Sequence, residues 1–260
     1  MGGRHYDEVV TAPIIPGCEP FSASNGPNGV LVLHGFTGNP QSMRPLAEAF
    51  ADAGFSVELP LLPGHGTSIE DMLATRWADW SGAAERAYSE LAARCDKVAV
   101  AGLSMGGTLT LMLAERHREI AGIVLVNPLV EKGANSFLDS LRQMLAEGID
   151  RIPGIGSDIA KPNTVEAAYE GTPIAPLLSL MEGTGEVQAG LGSVCCPVLL
   201  LSSRQDHVVP TTSGDAVVAG VSGPVERVFL EASYHVATLD YDQAEIEERA
   251  VQFTLKAMGA

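Results

Sequence analysis

The chain has 260 residues and a formal charge of −16, from 16 basic against 32 acidic residues. Its Lys and Arg are scattered, so the basic footprint that nucleic acid or anionic lipid headgroups require is missing. Hydrophobic residues make up 46% of the chain and charged ones 18%, which excludes a disordered protein and supplies a core for one α/β domain with an insertion.

The first ten residues, MGGRHYDEVV, lack a basic head followed by an apolar run, so the location expected is cytoplasmic. Residues 30–33, Val-Leu-Val-Leu, read as a strand buried on both faces and closed by His34-Gly35. Helical spacing of Met43, Leu46, Ala47 and Phe50 predicts a helix over 41–53, ended by Gly54. A strand over 55–59, a Pro/Gly loop over 60–67 and a helix over 77–94 follow. Residues 98–101 form the next strand, 102–106 a turn and 108–116 a helix, after which a strand over 123–126 stops at Asn127-Pro128. Later strands are expected over 198–201 and 227–230, separated by a helix near 213–221, with a closing helix over 243–258. This alternation predicts a mostly parallel sheet with helices on both faces.

Between Pro128 and Pro197 the alternation fails. A structureless stretch of that length inside a compact domain is improbable, so residues 129–196 are read as an inserted cap, with 1–128 and 197–260 as the core. Its apolar residues, such as Phe137, Leu141, Ile152, Ile155 and Ile159, either line a lipid-like pocket or pack the cap onto the sheet. The uncharged runs 98–114 and 187–203 fall short of the roughly 20 apolar residues of a membrane helix and are broken by Gly and Ser. Cys18, Cys95, Cys195 and Cys196 form no metal-ligand pattern and are expected reduced and buried.

Gly102-Leu103-Ser104-Met105-Gly106 fits G-x-S-x-G between a strand and a helix, the context in which a serine is presented as a nucleophile. A glycine-rich turn with an idle serine would look the same in isolation, so a base and an acid are needed. His5 lies in the N-terminal segment, His34 braces loops, His65 is in a Gly-Pro loop, His117 is among charges and His207 is in a surface loop. His235 falls between the last strand and the final helix, where a Ser, acid, His chain order places the base. Asp206, at the end of a strand, is the acid that orients it; Asp215 lies in a helix that turns it away. The oxyanion donors are expected to be the backbone N–H groups of Met105 and, in the loop after the first strand, Phe36.

These residues resemble the small bacterial carboxylesterases and monoacylglycerol lipases of the α/β-hydrolase superfamily. The resemblance runs from Glu19-Pro20-Phe21 to the C-terminal helix. Val32-Leu33-His34-Gly35-Phe36-Thr37-Gly38, Gly64-His65-Gly66-Thr67 and the stretch from Gly102 to Thr110 carry it, with Asp206-His207-Val208-Val209-Pro210. The segments at 19–21, 43–49 and 233–242 look closest to the bacilli-type monoacylglycerol lipases. The resemblance implies Ser104, Asp206 and His235 as the triad and the Phe36 and Met105 amides as oxyanion hole. Ile155-Gly156-Ser157-Asp158, with Pro162 and Glu166, is similar to the cap of those lipases, which implies Ile155 at the acyl chain and Glu166 at the glycerol headgroup. Read from the residues alone, Glu166 is equally a solvated helix residue.

The expectation is therefore a serine ester hydrolase for monoacylglycerols and short-chain esters, needing no metal or organic cofactor. It would be a monomer or homodimer without stable membrane insertion. A general carboxylesterase, thioesterase, peptidase or perhydrolase would keep the same triad, and a ligand receptor with a slow triad is the alternative of another class. The aspartate nucleophile of dehalogenases and epoxide hydrolases is replaced here by Ser104.

Overall fold

The central strands are apolar at successive positions because each is covered on both sides. In a computed structural model of the protein, residues 12–154 and 156–259 are described. The strands are β1 (Phe21–Ala23), β2 (Asn28–Leu33), β3 (Ser56–Leu59), β4 (Lys97–Leu103) and β5 (Ile123–Val126), then β6 (Arg151–Pro153), β7 (Gly171–Pro173), β8 (Val198–Ser203) and β9 (Val225–Leu230). Seven of them form one sheet in the order β1-β3-β2-β4-β5-β8-β9, and β6 and β7 form a separate antiparallel pair. Within the large sheet β1 runs antiparallel to β3 and every other pairing is parallel.

Alternation along the strands divides the interior into two cores. Leu31, Leu33, Val98, Val100, Ile123, Leu125, Val198 and Leu200 face one side, packed with helices α3 (Trp77–Ala92) and α4 (Met105–Arg116). Val30, Val32, Ala99, Ala101, Val124, Val126, Leu199 and Leu201 face the other, packed with α1 (Arg44–Asp52) and α8 (Gln243–Met258). Helices on both faces leave the carboxyl ends of the parallel strands open at one rim, and the loops there carry the polar residues singled out above.

Helix α1 begins later than the hydrophobic spacing predicts. Residues Pro40–Met43 form a 3-10 turn first, and Pro45 sits in the first turn of α1, where its missing N–H costs nothing. A short α2 (Ile69–Leu73) was not anticipated, although its start is signalled: the Ser68 hydroxyl accepts the Asp71 N–H at 3.3 Å. Between β5 and β8 the chain forms α5 (Asn135–Ala146), the β6-β7 pair and α6 (Ile174–Gly190), and a short α7 (Thr212–Gly220) follows β8. Helix α6 escapes the sequence because Gly183 is a contact residue: a Cβ there would stand 2.3 Å from the Trp77 ring of α3. Trp77 N–H donates to the Ser179 hydroxyl at 2.9 Å, tying the same two helices. The expectation of four buried cysteines holds for Cys18 and Cys196 alone: Cys95 is half-buried and Cys195 exposed, and none is in a disulfide.

Candidate active site

Ser104 stands at the end of β4, and the loops after β8 and β9 bring Asp206 and His235 into contact. Ser104 occupies the single position between β4 and α4, with φ 55° and ψ −116°. This is a strained backbone for a residue with a side chain, held because the surroundings determine it. A Cβ on Gly102 would stand 2.1 Å from the Gly106 carbonyl oxygen, and one on Gly106 2.1 Å from that of Leu33. Only glycine at both positions lets α4 start so close to the sheet. Ser104 N–H donates to Val126 O at 3.1 Å, which fixes the turn to β5.

Asp206 follows β8. Its Oδ1 accepts the N–H groups of Val208 and Val209, both at 2.8 Å, and its Oδ2 lies 2.8 Å from His235 Nδ1. Both side chains are nearly enclosed, 3% exposed for Asp206 and 8% for His235. A carboxylate only accepts hydrogen bonds, so this contact favours the tautomer of a neutral imidazole that has its proton on Nδ1 and its lone pair on Nε2. Asp215, the rival acid, is exposed and bonded instead to Arg227 Nη1. Asn127, at φ 43° just after β5, ties the end of β8 to the His235 loop: its Nδ2 donates to His235 O at 2.8 Å and to Ser203 Oγ at 2.9 Å, while its Oδ1 accepts the Ser203 N–H. The sequence reading took Asn127 only as a strand stop.

The loop after β2 lies against the serine, since a Cβ on Gly35 would be 3.5 Å from Ser104 Cβ. Phe36 follows directly. Met105 is the first residue of α4, so its amide has no carbonyl one turn back to bond to and is free to serve an oxyanion. His34 holds this loop as a neutral strut: Nδ1 donates to Gly35 O at 3.0 Å and Nε2 accepts the Leu62 N–H at 3.1 Å. Burial, helped by neighbouring His65, pushes its pKa down to about 3. His65 packs edge-on against His34, Phe36 and Trp80 and donates from Nδ1 to Pro63 O at 3.0 Å. Burial takes its pKa down to about 4. Neither imidazole is a base at neutral pH.

Glu166 is buried and in the site rather than on a solvated face. Its Oε1 lies 2.5 Å from where a Gly38 Cβ would stand. Burial raises the carboxyl pKa, opposed by the Ser42 hydroxyl and by an electrostatic contribution from His235. The segment around it is pinned to the oxyanion loop side: Asn39 Nδ2 donates to Ala167 O and Gln41 Oε1 accepts the Ala167 N–H, both at 2.7 Å. Phe36 and Ile152 pack with buried Leu141, Ile174 and Leu177 in an apolar cluster beside the loop. Ile159 packs against the core instead, and Phe137 is exposed. Ile155 lies outside the described residues. An open cleft of about 500 Å³ at Ile69, Arg151, Ile152 and Tyr169 is lined by none of Ser104, Asp206 and His235. Its Arg151 is already paired with Asp150 and Glu70, so the chemistry is not placed there. Among the described residues no cluster of His, Cys, Asp and Glu could hold a metal ion, and no helix is long and apolar enough to cross a membrane.

The sequence matches the serine aminopeptidase S33 family, Hydrolase_4, over residues 27–242. It is 48% identical over 248 residues to the thermostable monoacylglycerol lipase of Bacillus sp. strain H-257, covering 95% of this chain and 98% of that protein. A carboxylesterase of Bacillus subtilis strain 168 is 27% identical, covering 92% of this chain and 96% of its own length. A solved structure described for the metagenome-derived lipolytic enzymes LipS and LipT superposes with a TM-score of 0.90 at 41% identity, over 94% of this chain and all of that one. The monoacylglycerol lipase of Paleococcus ferrophilus superposes at 0.76 with 18% identity, over 92% of this chain and 99% of that one, a likeness of fold alone. With the sheet order described above, these matches identify the α/β-hydrolase fold.

Proposed function

The chain belongs to the serine aminopeptidase S33 family of hydrolases, and from that premise we propose that this enzyme hydrolyses monoacylglycerols to fatty acid and glycerol through Ser104, Asp206 and His235. Ser104 Oγ attacks the ester carbonyl while His235 Nε2 takes its proton, and the developing oxyanion is held by the amides of Phe36 and Met105. The carbon–oxygen bond to the glycerol breaks, and His235 returns the proton to the leaving alcohol. Water, deprotonated by the same nitrogen, then attacks the acyl-serine; the bond to Ser104 Oγ breaks, His235 returns the proton to that oxygen and the fatty acid leaves. Asp206 keeps the imidazole in the required tautomer and stabilises its cation. The reaction so written uses no metal or organic cofactor.

The observation that carries the substrate class is the buried Glu166 carboxyl group beside Gly38, Ser42 and His235. A carboxyl group there offers hydrogen bonds to two free hydroxyls, which a monoacylglycerol has and a triacylglycerol lacks. The apolar cluster next to Phe36 suits the acyl chain, with residues 129–196 acting as a cap that includes Ile155. The 48% identical relative named a monoacylglycerol lipase supports the same substrate, and the Bacillus subtilis carboxylesterase supports turnover of short esters as well. The proposal includes a cytoplasmic location, in keeping with four unpaired cysteines, and a monomer or homodimer. Turnover of mono-, di- and triacylglycerols of matched chain length tests it. Monoacylglycerol should be strongly preferred; preference for the di- or triacyl form would sink the substrate reading.

A further inference from the structure

Asp158, in the segment between β5 and β8, makes four hydrogen bonds to the two loops that carry the acid and the base. Its Oδ2 accepts the backbone N–H of His235 at 3.0 Å and that of His207 at 3.2 Å. Its Oδ1 lies 2.8 Å from His207 Nδ1, and its backbone oxygen accepts the Val236 N–H at 3.1 Å. The carboxylate side chain is 13% exposed. His207 in turn stands edge-on against Tyr234, with ring centroids 4.5 Å apart. The contact is answered from the other side by Asp240, fully buried, whose oxygens accept the N–H groups of Ala160 and Lys161 as well as those of Tyr234 and Tyr241. Two carboxylates thus clasp residues 158–161 and the His235 loop together in both directions.

The consequence for His235 is specific. Its carbonyl is held by Asn127 Nδ2 at 2.8 Å, a group at the end of β5, while its N–H is held by Asp158. These two groups belong to the peptide units on either side of the His235 Cα, so with both units fixed the side chain leaves the backbone in one direction, and losing either tie falls directly on the aim of the imidazole. We propose that Asp158 is a positioning residue for hydrolysis: it locks the His235 backbone and the Asp206 loop in register, so that the imidazole spans the acid and the serine. This rests on the triad reading above.

Kinetics on a soluble short-chain ester separate this role from a purely structural one. Misplacing a catalytic group by about 1 Å costs on the order of 100-fold in rate, so Asp158→Ala is expected to lower kcat at least about tenfold with KM held. Asp158→Asn, which keeps an acceptor of the same reach for the His235 amide, should restore kcat to near the parent. Arg151→Ala cuts a different tie between the same segment and the rest of the chain, the ion pair to Glu70, and should leave kcat unchanged. Asp158→Glu keeps the charge but pushes the acceptor off the amide by its extra methylene, and its kcat should fall with KM held. It carries the test even where Asp158→Ala does not fold. Parental kcat in Asp158→Glu, or an equal fall in Arg151→Ala, overturns the proposal. Ser104→Ala is measured alongside: activity surviving in that variant sinks the triad reading, whereas an inactive Ser104→Ala beside a fully active Asp158→Glu sinks this proposal alone.

Discussion

His65 is a neutral imidazole enclosed between His34, Phe36 and Trp80, and it makes the stability of the folded chain fall with acid. Burial moves its pKa from 6.5 to about 4. Below 6.5 the unfolded chain binds a proton that the folded chain refuses, so the stabilisation is complete above that pH and is lost progressively as the pH falls toward 4. One pKa unit corresponds to about 1.4 kcal/mol. At pH 5 the 1.5 units between the unfolded pKa and the solution give a loss of about 2 kcal/mol. Other groups titrate in the same range with the opposite sign. Glu115, raised by burial to about 7, favours the folded state as the pH falls, so the profile of one protein alone mixes these effects. Comparison with His65→Asn at the two pH values cancels them, along with the pH-independent ring packing that the smaller side chain gives up, and the variant keeps a donor for Pro63 O. Urea unfolding of both proteins at pH 7 and pH 5 is the assay. The parent's advantage over the variant should shrink by about 2 kcal/mol at pH 5. An advantage equal at the two pH values would refute the reasoning, since the imidazole would then titrate alike in both states.

His34, pushed down to about 3 by burial, should give a second slope of the same sign, read by the same unfolding comparison on His34→Asn. Asp206→Asn leaves an acceptor for the Val208 and Val209 amides but can donate to His235 Nδ1 and so favours the wrong tautomer; kcat for a short ester should fall by about 10³ to 10⁴ while the protein melts near the parental temperature. Glu166→Gln should raise KM for monoacylglycerol more than for an aromatic acetate ester that lacks glycerol, and equal changes on both would remove Glu166 from headgroup recognition. Gly183→Ala drives a methyl group into the Trp77 ring, 2.3 Å away, and should cost about 1–3 kcal/mol in chemical unfolding.

Strands in the sheet were legible because burial on both faces leaves only apolar residues, as in β2 and β5, and the latter's bounds at Ile123–Val126 coincide with those expected. Where tertiary contacts decide, the pattern was silent. Gly183 reads as a helix breaker until Trp77 is seen against it, and β1 is three residues long on the sheet edge. Ser104 stood out because backbone strain demands glycines at fixed spacing around it, a constraint written locally. Asp206 and His235 were placed by chain order, and the 2.8 Å contact between them brings together residues far apart in sequence. Asp158, Asp240 and Asn127 left no comparable trace, since their work is to accept or donate main-chain hydrogen bonds, for which any loop aspartate or asparagine looks alike. Glu166 remained open because its burial depends on Gly38 and Ser42, contributed from more than a hundred residues earlier in the chain.

The central claim is that this chain cleaves monoacylglycerols by way of an acyl group carried on Ser104. Acid quenching during turnover of a monoacylglycerol, followed by peptide mass mapping, tests it most directly. The account predicts the acyl mass on the peptide containing Ser104 and no adduct in Ser104→Ala, which should also release no glycerol. Glycerol release by Ser104→Ala at the parental rate, or an acyl group found on another residue, would contradict it.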